Sequence, residues 1–326
     1  MVDRSAVIYR GQPPDIVCVD QALRILPDGR WIVIFMTGGA GEPQQDNHIV
    51  ISVSDDEGQT WRPPEDVLRY DDRACLLSEV FVDGERLFMF ASTHDGRFAD
   101  WRCWTLESRD GGQSWDAPEA LNPLPRNTFV RNRFCTSWGE WIFPVQTYRP
   151  PEDADGLPDI LNHGFNGVLI TSDGGNSWEL SNMVGPTRGW VENNIVELSD
   201  GRLVMLIRAD GTGHLLRNES KDRGRTWSAS QATDIPNPGA KFRLHRLSDG
   251  RICLVHNPDQ SKRHPLALWI SSDDMQTWQY RRVLVDFPGT LSYPDGVVDA
   301  DEQYIHFAFD YNRHDVIYIG AKLPDA

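Results

Sequence analysis

The sequence predicts an all-β chain, a six-bladed β-propeller of four-stranded antiparallel blades, with residues 1–326 forming one domain. Three observations carry that expectation. An eight-residue motif, Ser/Thr-x-Asp-x-Gly-x-Ser/Thr-Trp, is written five times. Strand–turn–strand units of one kind are written six times, and the two series alternate without losing phase. Both recur about 50 to 60 residues apart, a period that belongs to solenoids, propellers and arrays.

The motif reads SDDEGQTW at 54–61, SRDGGQSW at 108–115, TSDGGNSW at 171–178, SKDRGRTW at 220–227 and SSDDMQTW at 271–278, with Met275 in place of the glycine in the last copy. In such a turn the aspartate accepts backbone N–H bonds, the glycine takes a positive φ and the tryptophan packs between sheets. The motif therefore marks blades and is silent about a substrate.

The strand–turn–strand units are LRILPDGRWIVIFM (23–36), EVFVDGERLFMF (79–90), CTSWGEWIFPV (135–145), VELSDGRLVMLI (196–207), HRLSDGRICLV (245–255) and VVDADEQYIHFAF (297–309). Their Asp-Gly steps predict two-residue hairpin loops with positive φ at both central residues. A third strand enters each motif and a fourth leaves it, as VISVS (50–54) and WRPPEDVL (61–68) do around the first copy. The segment SAVIYRG (5–11) has no hairpin partner; it is expected to pair beside strands near 304–323, complete the last blade and remove an open sheet edge. The longest irregular stretch, QTYRPPEDADGLPDILNHG (146–164), is expected to be a pocket-side loop of the third blade.

Composition limits the partners. A formal net charge of -16 argues against nucleic acid and anionic membranes, while leaving room for a locally basic pocket that takes an acidic ligand. No apolar run reaches the roughly 18 residues of a membrane span. The start, MVDRSAVIYRG, lacks the apolar stretch of a signal peptide, so the expected location is cytoplasmic, or secreted if a leader has been removed. The cysteines at 18, 75, 103, 135 and 253 are odd in number and lack CxxC spacing, which reads as buried thiols in a reducing compartment. GGAGEP (38–43) lacks the GK[ST] ending of a phosphate loop, and neither zinc-type ligand spacing nor a GxSxG elbow is present, so no metal or cofactor is expected.

The inner strand of each blade is where a propeller builds its site. Nine residues before the turn glycines stand Asp20, Cys75, Val130, Glu192 and Lys241, with Tyr293 near the equivalent place in the sixth unit. Four of these six are polar or charged where a strand should be turning apolar. The ends of the second strands add His94, Gln146, Tyr148, Arg149, Arg208, His256, Asn257, Asp310 and Tyr311.

The repeated motif is the Asp-box, or BNR repeat, and over essentially its whole length the chain resembles the sialidase (neuraminidase) superfamily. The segment WVENNIVELSDGRLVMLIRAD resembles that family's Glu-to-Arg stretch, which implies Glu192 as the base that activates a tyrosine and Arg208 as a grip on the substrate carboxylate. KRHPLALWISSDDMQTW places Arg263 where a further carboxylate-binding arginine is implied, and SYPDGVVD places Tyr293 at the position of the nucleophile. The chemistry is coherent: a phenol is a poor nucleophile at neutral pH until a carboxylate takes its proton, and paired guanidinium groups clamp a carboxylate. Two places depart from the pattern. Where the family has an Arg-Ile-Pro segment, this chain reads CVDQALRILPDG; Arg24 lies too far along, leaving Lys241, Arg131 or Arg243 to supply the missing cation. The loop GGAGEPQQDNHIVIS offers Asp46 as general acid, a few residues closer to the first motif than usual, with His48 beside it. His94, Tyr148 and Gln21 complete the implied substrate-binding set.

What the resemblance implies is an exo-acting glycoside hydrolase that removes a terminal residue from an acidic oligosaccharide. Two other readings stay open: a lyase or rhamnosidase acting on rhamnosyl-glucuronate linkages with His48 as catalyst, and a glycan-binding propeller without catalysis. The oligomeric state is not legible.

Overall fold

The computed structural model describes residues 4–98, 100–121, 124, 127–148 and 163–325. The strands form six antiparallel sheets, and no described residue is helical. The chain is thus a six-bladed β-propeller, as the two repeats predict. Its residues fall into two compact units, 1–120 with 284–326, and 121–283.

The first unit holds three sheets. One runs β2 (Cys18–Ile25), β3 (Trp31–Thr37), β4 (His48–Ser54), β5 (Glu65–Leu68). The next runs β6 (Ala74–Asp83), β7 (Arg86–His94), β8 (Arg102–Ser108), β9 (Glu119–Ala120). In the third, β24 (Leu291–Val298), β25 (Tyr304–Tyr311) and β26 (Asp315–Lys322) are followed by β1 (Arg4–Arg10). The N-terminal strand therefore completes the last blade, with a register from Arg4↔Gly320 to Arg10↔Asp315.

The second unit holds the other three. One sheet runs β10 (Thr128–Val130), β12 (Trp141–Tyr148), β13 (Gly164–Thr171), β14 (Glu179–Leu180), with β11 (Phe134–Cys135) and β15 (Val184–Thr187) as short side pairings. The others are β16 (Asn193–Glu197), β17 (Leu203–Ile207), β18 (His214–Ser220), β19 (Gln231–Pro236), and β20 (Arg243–Arg246), β21 (Ile252–His256), β22 (Leu266–Ser271), β23 (Tyr280–Val285). Of the stretch 146–164, residues 149–162, Arg149 included, lie outside the described residues.

The β6–β7 hairpin has the two-residue loop that Asp-Gly predicts, Gly84 and Glu85 between the paired Asp83 and Arg86, but four other hairpin turns differ. Leu26 N donates to Arg30 O and Gly29 N to Leu26 O, and only Gly29, at φ 86°, is left-handed. This is a three-residue loop ending in a glycine bulge. The same pair of bonds recurs at 136–140, 198–202 and 247–251. In three of these four loops an aspartate caps the turn: Asp28 Oδ1 accepts from Arg30 N and Oδ2 from Arg30 Nε, and Asp200 and Asp249 do the same for Arg202 and Arg251. The side chain caps the turn instead of entering the left-handed region.

The five motif turns share one hydrogen-bond set. In the first, the Asp56 carboxylate accepts from Ser54 Oγ, Thr60 N and Thr60 Oγ1, while Ser54 Oγ accepts from Gly58 N at 2.9 Å. The backbone is left-handed at Gly58 and also at the residue before it, Glu57. Met275 keeps this geometry at φ 63° and buries its side chain in the core of the blades carrying β16–β23. Of the five free cysteines, Cys18, Cys75 and Cys253 are buried as expected, whereas Cys135 is exposed and Cys103 half-buried. Cys135 ends the two-residue strand β11.

Aliphatic side chains fill the space between neighbouring sheets; in the first unit Ile32, Ile34, Ile49, Val80, Leu87 and Met89 form one cluster. Each such side chain contributes about 1.5–3 kcal/mol on burial. Arg24 crosses the same layer. Its guanidinium reaches Glu79 at 2.7 Å and Asp295 at 2.6 Å, and Nε donates to Val80 O, so β2, β6 and β24 are stapled by one buried cation.

Candidate functional site

In the second unit the sequence starts one strand and ends the next with charge. Glu192 immediately precedes β16, and Arg208 immediately follows β17; Arg208 N donates to Glu192 O at 2.8 Å, continuing the ladder by one step. That register sets the side chains against each other, with Arg208 Nη1 2.6 Å from Glu192 Oε2. Arg208 Nε donates to Asp210 Oδ1 at 2.7 Å, and the other Asp210 oxygen accepts from Trp190 N. Arg131, just after β10, places Nη2 4.0 Å from Glu192 Oε1 and donates from Nε to Gln146 Oε1. Lys241, two residues before β20, adds a third cation. Arg131, Glu192, Arg208 and Lys241 are all buried.

Burial alone would raise the Glu192 carboxyl, but Arg208, Arg131 and Lys241 more than reverse this and hold it below the usual carboxylate range. The carboxylate is therefore ionised at neutral pH. Tyr148, at the end of β12, faces the same group: burial and the Glu192 charge push its pKa up, and its hydroxyl accepts from Gln146 Nε2 and Val191 N. Tyr148 is thus a neutral hydrogen-bonding wall. Arg263 is half-buried and donates from Nη2 to Gly239 O at 2.8 Å. Gly239 and Gly189 pack against the Asp210 carboxyl so closely that a Cβ on either would lie within 2.6 Å of it. Arg263 therefore grips the loop that rests on the carboxylate held by Arg208.

The first unit carries the other sequence candidates. Tyr293 is buried at a β-bulge of β24, where the register with β25 slips between Ser292 and Asp295, and its φ is 58°. Asp20 has the same character on β2, with φ 52° inside a slip between Val19 and Ala22. Non-glycine residues held left-handed in a bulge are backbone strain of the kind that accumulates at functional sites. Gln21, fully buried, donates its amide to the carbonyls of Ser292 and Tyr293 and ties the two bulges together.

His48 opens β4 and is buried. Its Nδ1 lies 2.9 Å from the Asp46 carbonyl oxygen, its Nε2 3.3 Å from Asp66 Oδ1, and Arg69 donates to the ring. Asp46 itself is exposed on the β3–β4 loop. His94, at the end of β7, accepts from Gly96 N and Phe98 N through Nδ1 and packs on Trp101; burial lowers its pKa to about 4, so it is neutral. Its visible work is to shape the turn after β7.

Sequence reading missed Asp210, Glu42 and Arg313. Asp210 had a signal, since it stands two residues beyond Arg208. Glu42 and Arg313 pair across 271 positions of sequence, and nothing local announces that.

A family model described as BNR repeat-like domain matches residues 30–307. A sialidase of Paraclostridium sordellii is 27% identical over 53% of this chain and 48% of its own length, and one of Clostridium perfringens 27% over 61% and 56%. These matches span about half the length of those relatives. Among solved structures, a Hadza microbial sialidase superposes with TM-score 0.81 at 16% identity over 98% of this chain and 68% of that one. A Dyadobacter fermentans protein described as of unknown function superposes with TM-score 0.76 at 20% identity over 99% of both chains. The chain belongs to the BNR repeat-like family, the Asp-box β-propellers of the sialidase superfamily.

Proposed function

We propose that the chain is a sialidase-like exo-glycosidase that removes a terminal residue from an acidic glycan. The observation that carries this reading is the set of three buried cations, Arg131, Arg208 and Lys241, that act on the single carboxylate of Glu192. Buried charge is costly unless paired, and a cation-rich lining is suited to a second, ligand carboxylate. In this reading Arg208 and Arg263 grip the ligand, Tyr293 is the nucleophile and Glu192 its base, and Asp46 is the acid. The strain at Tyr293 supports the nucleophile assignment, because a left-handed bulge fixes the direction of one side chain on an otherwise regular strand. Hydrolysis is preferred over elimination because His48 is enclosed by Asp46 O, Asp66 and Arg69.

The test is a screen of the purified protein against sialosides, glucuronides and rhamnosyl-glucuronate oligosaccharides. New reducing ends from a sialoside, loss of turnover in Tyr293→Phe with activity retained in His48→Ala, and a mass adduct on Tyr293 from a fluorinated sialoside are expected. An ultraviolet-absorbing unsaturated uronate, with His48→Ala as the more severe loss, would replace hydrolysis by elimination.

A further inference from the structure

The DNH stretch at 46–48 sets the exposed Asp46 beside two buried side chains, Asn47 and His48. Both neighbours fasten the β3–β4 loop. Asn47 donates from its side chain to Gly38 O and Gly41 O, accepts from Gln44 N, and through its own carbonyl accepts from Cys75 N on β6 at 2.8 Å. His48 brings Nδ1 to 2.9 Å from the Asp46 carbonyl oxygen. The two ends of the loop meet at Gly38: at φ 108°, a Cβ there would lie 2.1 Å from Asp46 O and 2.6 Å from His48 Nδ1. Only a glycine lets the carbonyl and the ring come together at this point. The partners of the ring assign its proton. A carbonyl oxygen only accepts and a guanidinium only donates, so Nδ1 carries the proton that faces Asp46 O. Arg69 Nη2 lies 3.1 Å from Nδ1 and closer still to Nε2, and it donates to Nε2 when the ring is neutral. Asp66 Oδ1, 3.3 Å from Nε2, accepts from that nitrogen when the ring is charged. Asp66 Oδ2 also holds Arg69 Nε at 3.1 Å. In both charge states Nδ1–H therefore stays on the Asp46 carbonyl.

We propose that His48 is a positioning residue for Asp46: it fixes the backbone that carries the carboxyl group protonating the leaving oxygen, and Arg69 and Asp66 fix His48 in turn. The role rests on the proposed hydrolytic reading, in which Asp46 is the acid, and it gives the histidine of the DNH stretch a task other than that of a base. A general acid must lie within hydrogen-bond reach of the oxygen it protonates, and a misplacement of about 1 Å can cost about 10²-fold in rate. An exposed side chain on a loop gets no such placement from core packing. At Asp46 the placement comes from the backbone, clamped by His48 at its own carbonyl and by Asn47 at the next residue.

The test compares kcat/KM on two glycosides of the acidic sugar that the screen identifies. One is an alkyl glycoside, whose alkoxide must be protonated as it leaves; the other is a nitrophenyl glycoside, whose phenolate leaves with little help. Asp46→Asn should lose about 10²–10⁴-fold on the alkyl glycoside and much less on the nitrophenyl one. His48→Ala should follow the same pattern at about tenfold, with activity lowered and not abolished, and should add little in the Asp46→Asn background. His48→Asn puts an amide N–H in the place of Nδ1 and should restore most of the loss. His48→Gln, whose N–H falls in the place of Nε2, should not. Equal losses on both glycosides in His48→Ala, or equal rescue by Asn and Gln, would mean that His48 only fills the loop, and would overturn the proposal. Should His48→Ala fail to fold, the contrast between Asn and Gln decides alone. The two failures look different. An Asp46→Asn protein that loses the same factor on both glycosides removes Asp46 as the acid, and with it the reading on which the proposal rests; a leaving-group effect in Asp46→Asn without one in His48→Ala strikes the proposal alone.

Discussion

Two buried arginines, one in each unit, are held by two carboxylates at nearly the same distances. Arg24 lies 2.7 Å from Glu79 and 2.6 Å from Asp295; Arg208 lies 2.6 Å from Glu192 and 2.7 Å from Asp210. What surrounds them differs. The Arg24 side chain and both of its partners are at most 5% exposed, and its remaining donors go to Val80 O and Leu23 O. Around Arg208 the Asp210 side chain is 28% exposed, and Arg131 and Lys241 add positive charge to Glu192. The same pairing thus makes a closed staple in one place and a cation-rich, partly open cluster in the other. Ion-pair geometry alone does not separate scaffold from site; charge balance and access do.

The largest expected effect tests the staple. Arg24→Ala leaves two carboxylates buried without their cation, and removing one partner of a buried pair costs about 3–5 kcal/mol. Arg208→Ala should cost clearly less, because Arg131 and Lys241 still face Glu192. Urea midpoints of the two variants measure this, and equal losses would erase the contrast.

The next effect runs the other way. If the Arg208 cluster holds a ligand carboxylate, Arg208→Ala should lose about 2–5 kcal/mol of transition-state binding, roughly 30-fold to several thousand-fold in kcat/KM on whichever acidic glycoside the screen finds. A folded Arg24 variant should retain turnover per active molecule. An acidic monosaccharide should likewise raise the Tm of the wild type, by mass action, and fail to do so for Arg208→Ala. Ligand protection that survives Arg208→Ala would move the carboxylate site elsewhere.

The two clusters were not equally legible in the sequence. The blades were, because turn glycines and motif tryptophans act through local geometry that a repeat displays. Glu192 and Arg208 were readable because both flank a hairpin whose register is fixed by its own turn. In the sequence Arg24 stands out only as an arginine in the wrong place for the family pattern. Its two partners lie 55 and 271 residues away, and such distances leave no trace in a periodic pattern. The loop lengths are less legible for a simpler reason: Asp-Gly serves either turn, closing two residues between Asp83 and Arg86 but three where Asp28, Asp200 and Asp249 cap the arginine that follows the glycine.

A smaller effect sharpens the electrostatic side of the comparison. Burial pushes the Glu192 pKa up, Arg208, Arg131 and Lys241 pull it down further, and the net direction is down. A group depressed in the folded state contributes stability that is present above its unfolded pKa, about 4.3 for glutamate, and is lost as pH falls through the folded value. Lys241→Met removes one of the three cations, so the folded pKa should rise and the acid limb of the pH–rate profile should move to higher pH. A profile unchanged from wild type would mean that Lys241 does not act on Glu192.

The smallest effect is one the two units should share. Asp110 in the first unit and Asp173 and Asp273 in the second are held at about 2 against an ordinary 3.8; side-chain and backbone hydrogen bonds from Ser114, Ser177 and Thr277 are the main causes. Asp110 and Asp173 are exposed and Asp273 is half-buried, and hydroxyl and amide donors, not cations, lower all three. Their contribution is therefore small, fully present above the unfolded value of 3.8, and lost as pH falls through about 2. Asp110→Asn and Asp273→Asn should each flatten the decline of the urea midpoint in that acid window by a similar amount, and neither should alter turnover at neutral pH. The contrast between the two arginine clusters would then rest on their own charges, because the motif turns behave alike in both units. A loss of turnover confined to Asp273→Asn would instead tie the second unit's cluster to the integrity of its blade turns, and the comparison would have to be redrawn on fold stability.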